Sequence, residues 1–240
     1  IAASPKVPRS TLNRVLPTLI KALPKDSIDF MLSRPKTDDD VKIIEALARD
    51  DASYAASETS ESLAAYLTRY LNPKSYVGID ISETAVDLCN QIHHLENLSF
   101  QVGDSENIPF EDENFDIVLN VESSHCYGDM DQFMSEVTRV LKPGGHFLWC
   151  DLRPGNSKEK TNSHFANSGL QLINKNEITE NIIVALEKMS AGRKSAIKSR
   201  VPKLVRNIFE SYAGVEGSRV HDSFNNGDLI YLSAAMQKPE

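Results

Sequence analysis

The apolar residues of this chain repeat first at helical spacing and then in short runs divided by helices. Leu12, Val15, Leu16, Leu19, Ile20 and Leu23 form a helical stripe with basic residues around it, and Pro17 cuts that stripe into two pieces. Asp38, Asp39 and Asp40 read as a solvated helix start ahead of Val41, Ile43, Ile44 and Leu47. Residues 1–50 are therefore expected to form an N-terminal helical region. Further on, Ser62 is placed to cap a helix whose Leu63, Tyr66, Leu67, Tyr70 and Leu71 lie on one face, and Asn72-Pro73 ends it. Short apolar runs at Tyr76–Ile81, Leu98–Val102, Phe115–Val121 and His146–Cys150 read as strands. Between them, Ser82 caps a helix through Val86, Cys89 and Ile92. A second helix runs from Met130 to Leu141 and is ended by Lys142-Pro143-Gly144-Gly145.

Strands alternating with helices of this length make βαβ units, so residues 51–240 are expected to form an α/β domain around a parallel sheet with helices on both faces. In such sheets ligands bind beyond the carboxyl ends of the strands. Asp80 stands at one such end, where a carboxylate can accept hydrogen bonds from two neighbouring ribose hydroxyls. Gly103-Asp104-Ser105 closes the next strand, with a carboxylate able to meet an exocyclic amine and a backbone N–H able to meet a ring nitrogen. The strand 115–121 empties into Asn120-Val121-Glu122-Ser123-Ser124-His125-Cys126-Tyr127, a dense polar set. An acid after a strand also serves as an ordinary turn or cap residue. What singles these out is their placement on successive strand ends.

Composition narrows the classes. A net charge of -8 argues against a general nucleic-acid binder, which needs a basic footprint. Cys89, Cys126 and Cys150 form no CxxC pair and suit a reducing, cytoplasmic setting, and no cluster of metal ligands stands out. No run reaches the roughly 18 apolar residues of a membrane-spanning helix. Charge is uneven: from Gly78 to Asp151 there are 15 acids and two bases, whereas Leu152 to Glu210 carries 11 bases and five acids.

Three stretches, SYVGIDIS (75–82), GDSENIPFEDENFDIVLNVESSHCY (103–127) and VLKPGGHFLWCDLR (140–153), resemble class I S-adenosylmethionine-dependent methyltransferases of the type 11 kind. VESSHCY, with the later FESYAGVEGSRV and YLSAAMQKP, is most similar to the branch of phthiotriol dimycocerosate methyltransferases and related small-molecule O-methyltransferases. The resemblance implies a Rossmann-like fold with a C-terminal antiparallel strand, a helical lid near residues 155–210, S-adenosyl-L-methionine as cofactor and a small, lipid-like hydroxyl acceptor. It also implies that Asp80 holds the ribose, Ile81 flanks the adenine, Asp104 and Ser105 meet its edge, and Asn120 lies near the methionyl part. His125 is the candidate general base, since an ordinary imidazole pKa of about 6.5 suits removal of a hydroxyl proton near neutral pH. Glu122 and Asp151 also stand at strand ends, able to orient a substrate or act as base. His146 begins its strand and reads as structural.

One feature departs from the family. All 11 glycines lie from Gly78 onward, and the place of the family's glycine-rich first turn reads SYAASETSESL (53–63). A side chain at a left-handed position costs roughly 1 kcal/mol. The apolar first strand is missing too, as Asp50, Asp51, Ser53 and Glu58 make a poor buried segment. Either that strand and turn have been replaced, leaving a non-catalytic binding or regulatory protein, or residues 41–63 complete the site in another way. A nicotinamide enzyme would need a GxGxxG before Asp80, and none exists. In the lid, Arg193, Lys194, Lys198, Arg200, Lys203 and Arg206 interleave with Ile197, Val201, Leu204 and Val205. These form either a solvated helix face or a peripheral contact with anionic lipid.

Overall fold

The computed structural model describes residues 42–46, 63–71, 73–200 and 216–240. In chain order these form β1 (Lys42–Ala46), α1 (Leu63–Leu71), β2 (Ser75–Asp80), α2 (Glu83–Ile92), β3 (Leu98–Val102), β4 (Phe115–Val121), a 3-10 turn (Ser124–Cys126), α3 (Met130–Val140), β5 (Leu141–Pro154), α4 (Lys158–Asn167), β6 (Gln171–Glu177), α5 (Thr179–Arg200), α6 (Arg219–Asn225) and β7 (Leu229–Gln237). One seven-stranded sheet runs in the order β3-β2-β1-β4-β5-β7-β6. The first five strands are parallel, and β7 is antiparallel to both β5 and β6. The α/β class and the C-terminal antiparallel strand are as expected.

Helix starts follow their capping residues. Ser82 Oγ accepts from the Ala85 N–H at the head of α2, and Asp129 Oδ1 accepts from the Asp131 and Gln132 N–H groups at the head of α3. Helices α1 and α2 pack Ala64, Leu67, Val86 and Cys89 against Ile117, Leu119 and Leu148 on one face of the sheet. On the other face, α3 and α4 pack Phe133, Val137 and Phe165 against Phe147 and Trp149.

Three expectations are corrected. Residues 42–46, read as the start of a helix, form the central strand β1, paired along both edges with β2 and β4. The sheet therefore begins before residue 51, and a first strand exists ahead of the stretch where it was sought. Pairing on two sides is a tertiary effect that overrides a helical spacing read from four apolar residues. Second, β5 starts directly after α3, with Phe115 opposite Leu141 and Ile117 opposite His146, so that Lys142-Pro143-Gly144-Gly145 bulges from the strand. Gly144 takes φ +73 there, and a Cβ on Gly145 would lie 2.8 Å from the Lys142 carbonyl. Third, the segment expected to be a helical lid contributes the edge strand β6 between α4 and α5. The N-terminal stripe 12–23, SYAASETSESL up to Ser62, and Val201, Lys203, Leu204, Val205 and Arg206 lie outside the described residues. Among the described residues no helix is long and apolar enough to cross a membrane.

Arg139 anchors the loop after β3. Its guanidinium donates to the carbonyls of Ile108 and Phe110, to both Glu136 carboxylate oxygens and to Asp112. Glu136 Oε2 also accepts the Ile108 N–H at 2.8 Å. The Arg139 hydrogen bond holds the Glu136 carboxyl below its usual range. Arg139→Ala is expected to lower stability by about 2 kcal/mol in urea denaturation, because several partly buried acceptors lose their donor together.

Candidate active site

The carboxyl ends of β2 and β3 are locked together by the Gly103 N–H, which donates to the Asp80 carbonyl at 3.0 Å. Asp80 is buried, and its Oδ1 accepts the Ser82 N–H at 2.7 Å, which fixes the carboxylate at the strand end. Ile81 and Val102 stand exposed beside it, 61% and 49% open, an apolar surface suited to a flat ring. Gly103 is where backbone approaches closely, since a Cβ there would sit 3.0 Å from Pro109 and 3.2 Å from Ile79. Asp104 is exposed, yet its Oδ1 accepts the Glu106 N–H at 2.8 Å, so it is also the turn residue that its position allowed.

Asn120 is fully buried at the end of β4, level with Ala46 at the end of β1. Its amide donates to Tyr127 Oη at 2.8 Å and to Ser123 Oγ at 3.2 Å. The Tyr127 hydroxyl also bonds to Ser123 and to the Ser105 side chain. Burial pushes this phenol up to about 12. Tyr127 thus joins Ser105 and Asn120, two candidates from separate strands, through a residue that carried no expectation of its own.

His125 lies in the 3-10 turn beyond β4, with its side chain 30% exposed. Its Nδ1 is 2.7 Å from Asp151 Oδ1, and its backbone N–H donates to Asp151 Oδ2 at 2.8 Å. Asp151, with no exposed surface, also accepts from Ser124 Oγ at 2.7 Å, the Leu152 N–H at 2.8 Å and the Arg153 guanidinium at 3.0 Å. Ser124 Oγ in turn accepts from Trp149 Nε1 at 2.8 Å and from Arg153 at 2.6 Å, while the guanidinium lies 5.1 Å from the Trp149 ring centroid. The Asp151 hydrogen bond raises the His125 pKa above its ordinary value, against the lowering effect of burial. With Nδ1–H committed to Asp151, the neutral ring carries its lone pair on Nε2.

Ser124, Trp149 and Arg153 carried no sequence expectation. Trp149, Asp151 and Arg153 recur at every second residue of β5, which puts them on one face of the strand, and that period was the available signal. His146 is buried where β5 resumes pairing after its bulge, opposite Ile117 and away from His125. Among the described residues no group of three or more His, Cys, Asp or Glu side chains could hold a metal ion.

Residues 58–149 match the family model described as "Methyltransferase domain". This stretch is thus similar to a methyltransferase domain. The chain is 39% identical over 175 residues to the phthiotriol/phenolphthiotriol dimycocerosates methyltransferase of Mycobacterium leprae (strain TN), covering 73% of this chain and 65% of that protein. It is 34% identical over 176 residues to the fatty-acid O-methyltransferase of Mycolicibacterium smegmatis, covering 73% and 64%. The chain thus spans somewhat less than two thirds of each relative's length. Its fold matches geranyl diphosphate C-methyltransferase from Streptomyces coelicolor A3(2), solved with Mg2+, geranyl diphosphate and S-adenosyl-L-homocysteine, with a TM-score of 0.57 at 15% identity, covering 95% of this chain and 82% of that one. A methyltransferase fold of this kind serves carbon as well as oxygen acceptors, so the acceptor must be argued from the side chains.

Proposed function

We propose that the protein is an S-adenosylmethionine-dependent O-methyltransferase acting on a hydroxyl of a small, lipid-like acceptor, with His125 as general base. The observation that carries this reading is the His125–Asp151 pair beyond β4 and β5, in which Nδ1 is held and Nε2 is left as the basic nitrogen. Nε2 takes the proton of the acceptor hydroxyl, and the buried Asp151 carboxylate stabilises the imidazolium that results. S-adenosylmethionine, when bound, supplies a methyl group already activated on a positive sulfur. Asp80 is the residue to hold its ribose, Ile81 and Val102 flank its adenine, Asp104 and Ser105 lie at the ring edge, and Asn120 is nearest the methionyl portion. The fixed Asp80 carboxylate and the exposed apolar pair next to it fit that group. The two named relatives, one acting on phthiotriol lipids and one on fatty acids, support an acceptor with a large apolar part.

Calorimetric titration with S-adenosylmethionine tests the cofactor half. Asp80→Ala is expected to weaken binding about 10- to 100-fold, the worth of a charge-assisted hydrogen bond to each ribose hydroxyl. Failure of the unaltered protein to bind millimolar cofactor would remove the reading altogether.

A further inference from the structure

The turn that carries His125 is held from two directions. On one side the Asp151 carboxylate accepts from the Ser124 hydroxyl and the His125 N–H. On the other, between the turn and α3, a single carboxylate oxygen of Glu106 accepts the N–H groups of two consecutive residues, Gly128 at 2.7 Å and Asp129 at 3.1 Å. Both bonds are charge-assisted, and neighbouring N–H groups that converge on one anionic oxygen fix the backbone that bears them. Glu106 lies 22 residues before Gly128, in the loop that follows β3. It therefore reaches across from the strand end where Asp104 and Ser105 stand.

The backbone of Glu106 is committed as well. Its N–H donates to Asp104 Oδ1 at 2.8 Å, and its carbonyl accepts from the Gln132 side chain, in the first turn of α3, at 3.1 Å. The loop closes on itself through the Asn107 N–H, which donates to the Asp104 carbonyl at 3.0 Å. A residue that served only to close this loop would need the bond to Asp104 and no reach toward Gly128. Glu106 has both, so the Asp104 side chain and the backbone just beyond Tyr127 are joined through one residue. A carboxylate has two oxygens, and Asp104 can give one to the Glu106 N–H and the other to an amine.

We infer that Glu106 is a positioning residue, through which order imposed on Asp104 and Ser105 by the adenine of the cofactor reaches the turn bearing His125. The inference rests on the reading of Asp104 and Ser105 as adenine contacts and adds a residue to that site. A ligand contact at Asp104 restrains the loop and Glu106 with it, and the Glu106 carboxylate then restrains Gly128 and Asp129, three and four residues beyond the base. The rate is sensitive to this, because a misplacement of about 1 Å can cost about 10²-fold.

Amide hydrogen exchange of the full chain, with and without S-adenosylhomocysteine, tests it without requiring turnover. The ligand is expected to slow exchange at residues 103–105 and, by about tenfold, at the Gly128 and Asp129 amides. What is read is the ratio of rates with and without ligand, so the plain loss of an acceptor in a variant cancels. In Glu106→Ala the slowing at Gly128 and Asp129 is expected to vanish while that at residues 103–105 stays. Glu106→Gln, whose amide oxygen still accepts an N–H, is expected to restore most of it. In turnover, Glu106→Ala should lower kcat about tenfold while cofactor affinity and the pH dependence set by His125 stay in place, because the Asp151 bond is untouched. Slowing at residues 103–105 with none at Gly128 and Asp129 in the unaltered protein overturns the inference, and so does slowing there that survives in Glu106→Ala. Exchange unchanged at every site, residues 103–105 included, overturns the cofactor reading and the inference with it. The expected exchange pattern without any methyl transfer upholds the inference and overturns only the activity.

Discussion

Replacing His125 with alanine is expected to lower kcat for methyl transfer to a hydroxyl acceptor by about 10²- to 10⁴-fold, the usual range for a positioned general base. An alcohol presents a proton that must leave as its oxygen attacks, and at neutral pH almost none of it is ionised. The imidazole Nε2 is the basic atom that the His125–Asp151 geometry leaves available. The substitution should spare the fold, because the ring is partly exposed and Asp151 keeps its bonds to Ser124, Leu152 and Arg153. Cofactor affinity should also be unchanged, since Asp80 and its neighbours lie at the ends of other strands. A product-release assay paired with cofactor titration separates these effects. A carboxylic acid acceptor gives the opposite result: a carboxylate is already ionised and needs no base, so a loss below tenfold would point to ester formation. The pH dependence adds a second check. Only the neutral ring can take the proton, so the rate should rise with pH through a value above the ordinary 6.5, in the direction that the Asp151 bond imposes.

Much of the sheet was legible because β3 alternates apolar and polar residues and β4 is apolar along most of its length, and the ends read for α1 and β2 lie within a residue of those observed. The strand β1 was not. Five residues with two adjacent isoleucines do not distinguish a strand from a helix turn locally, and what makes them a strand is pairing with residues about 30 and 75 positions away. Finding β1 at 42–46 restores the centre of the sheet without restoring the glycines, which still begin at Gly78. Asp80 and Asn120 lie at strand ends and His125 just beyond one, as their place in the sequence indicated. The partner that matters most to His125 is 26 residues away on the neighbouring strand, and no local period reveals which of Glu122 and Asp151 the ring will meet. Packing decides that: Asp151 shares its face of β5 with Trp149 and Arg153, and Glu122 is exposed at the end of β4. The segment read as a lid was the least legible part. Its basic stretch read as either a solvated helix face or a lipid contact; Ile197 is buried, and Lys194 donates to the Glu216 carbonyl at 3.0 Å, which ties that part of α5 to the chain ahead of α6.

Asp151→Asn is expected to lower stability and activity together, by separable routes. The carboxylate accepts five hydrogen bonds, from Ser124, the backbone and ring of His125, the Leu152 N–H and Arg153, and it is fully buried. An asparagine of the same shape must turn an NH2 group toward donors, and it leaves the buried Arg153 guanidinium without its counter-charge. Removing one partner of a buried ion pair costs about 3–5 kcal/mol, which thermal or urea denaturation would register. Activity should fall by about 10²-fold or more, because the ring loses the acceptor that fixes its orientation and keeps the lone pair on Nε2. The decisive signature is in pH. In the unaltered protein the folded pKa of His125 is raised, so the protonated pair contributes stability fully below about 6.5 and loses that contribution as pH rises through the raised value. In the variant the two contributions of Asp151 that raise it are gone, while burial and the nearby Arg153 charge, which lower it, remain beside the Glu122 charge, which raises it less than burial lowers it. The acid limb of the rate profile should therefore move to lower pH even as the plateau drops. The stability deficit of the variant should be largest below pH 6.5 and shrink as pH rises. A purely structural Asp151 would lower the plateau and leave the limb in place, so a fixed limb would overturn the positioning role.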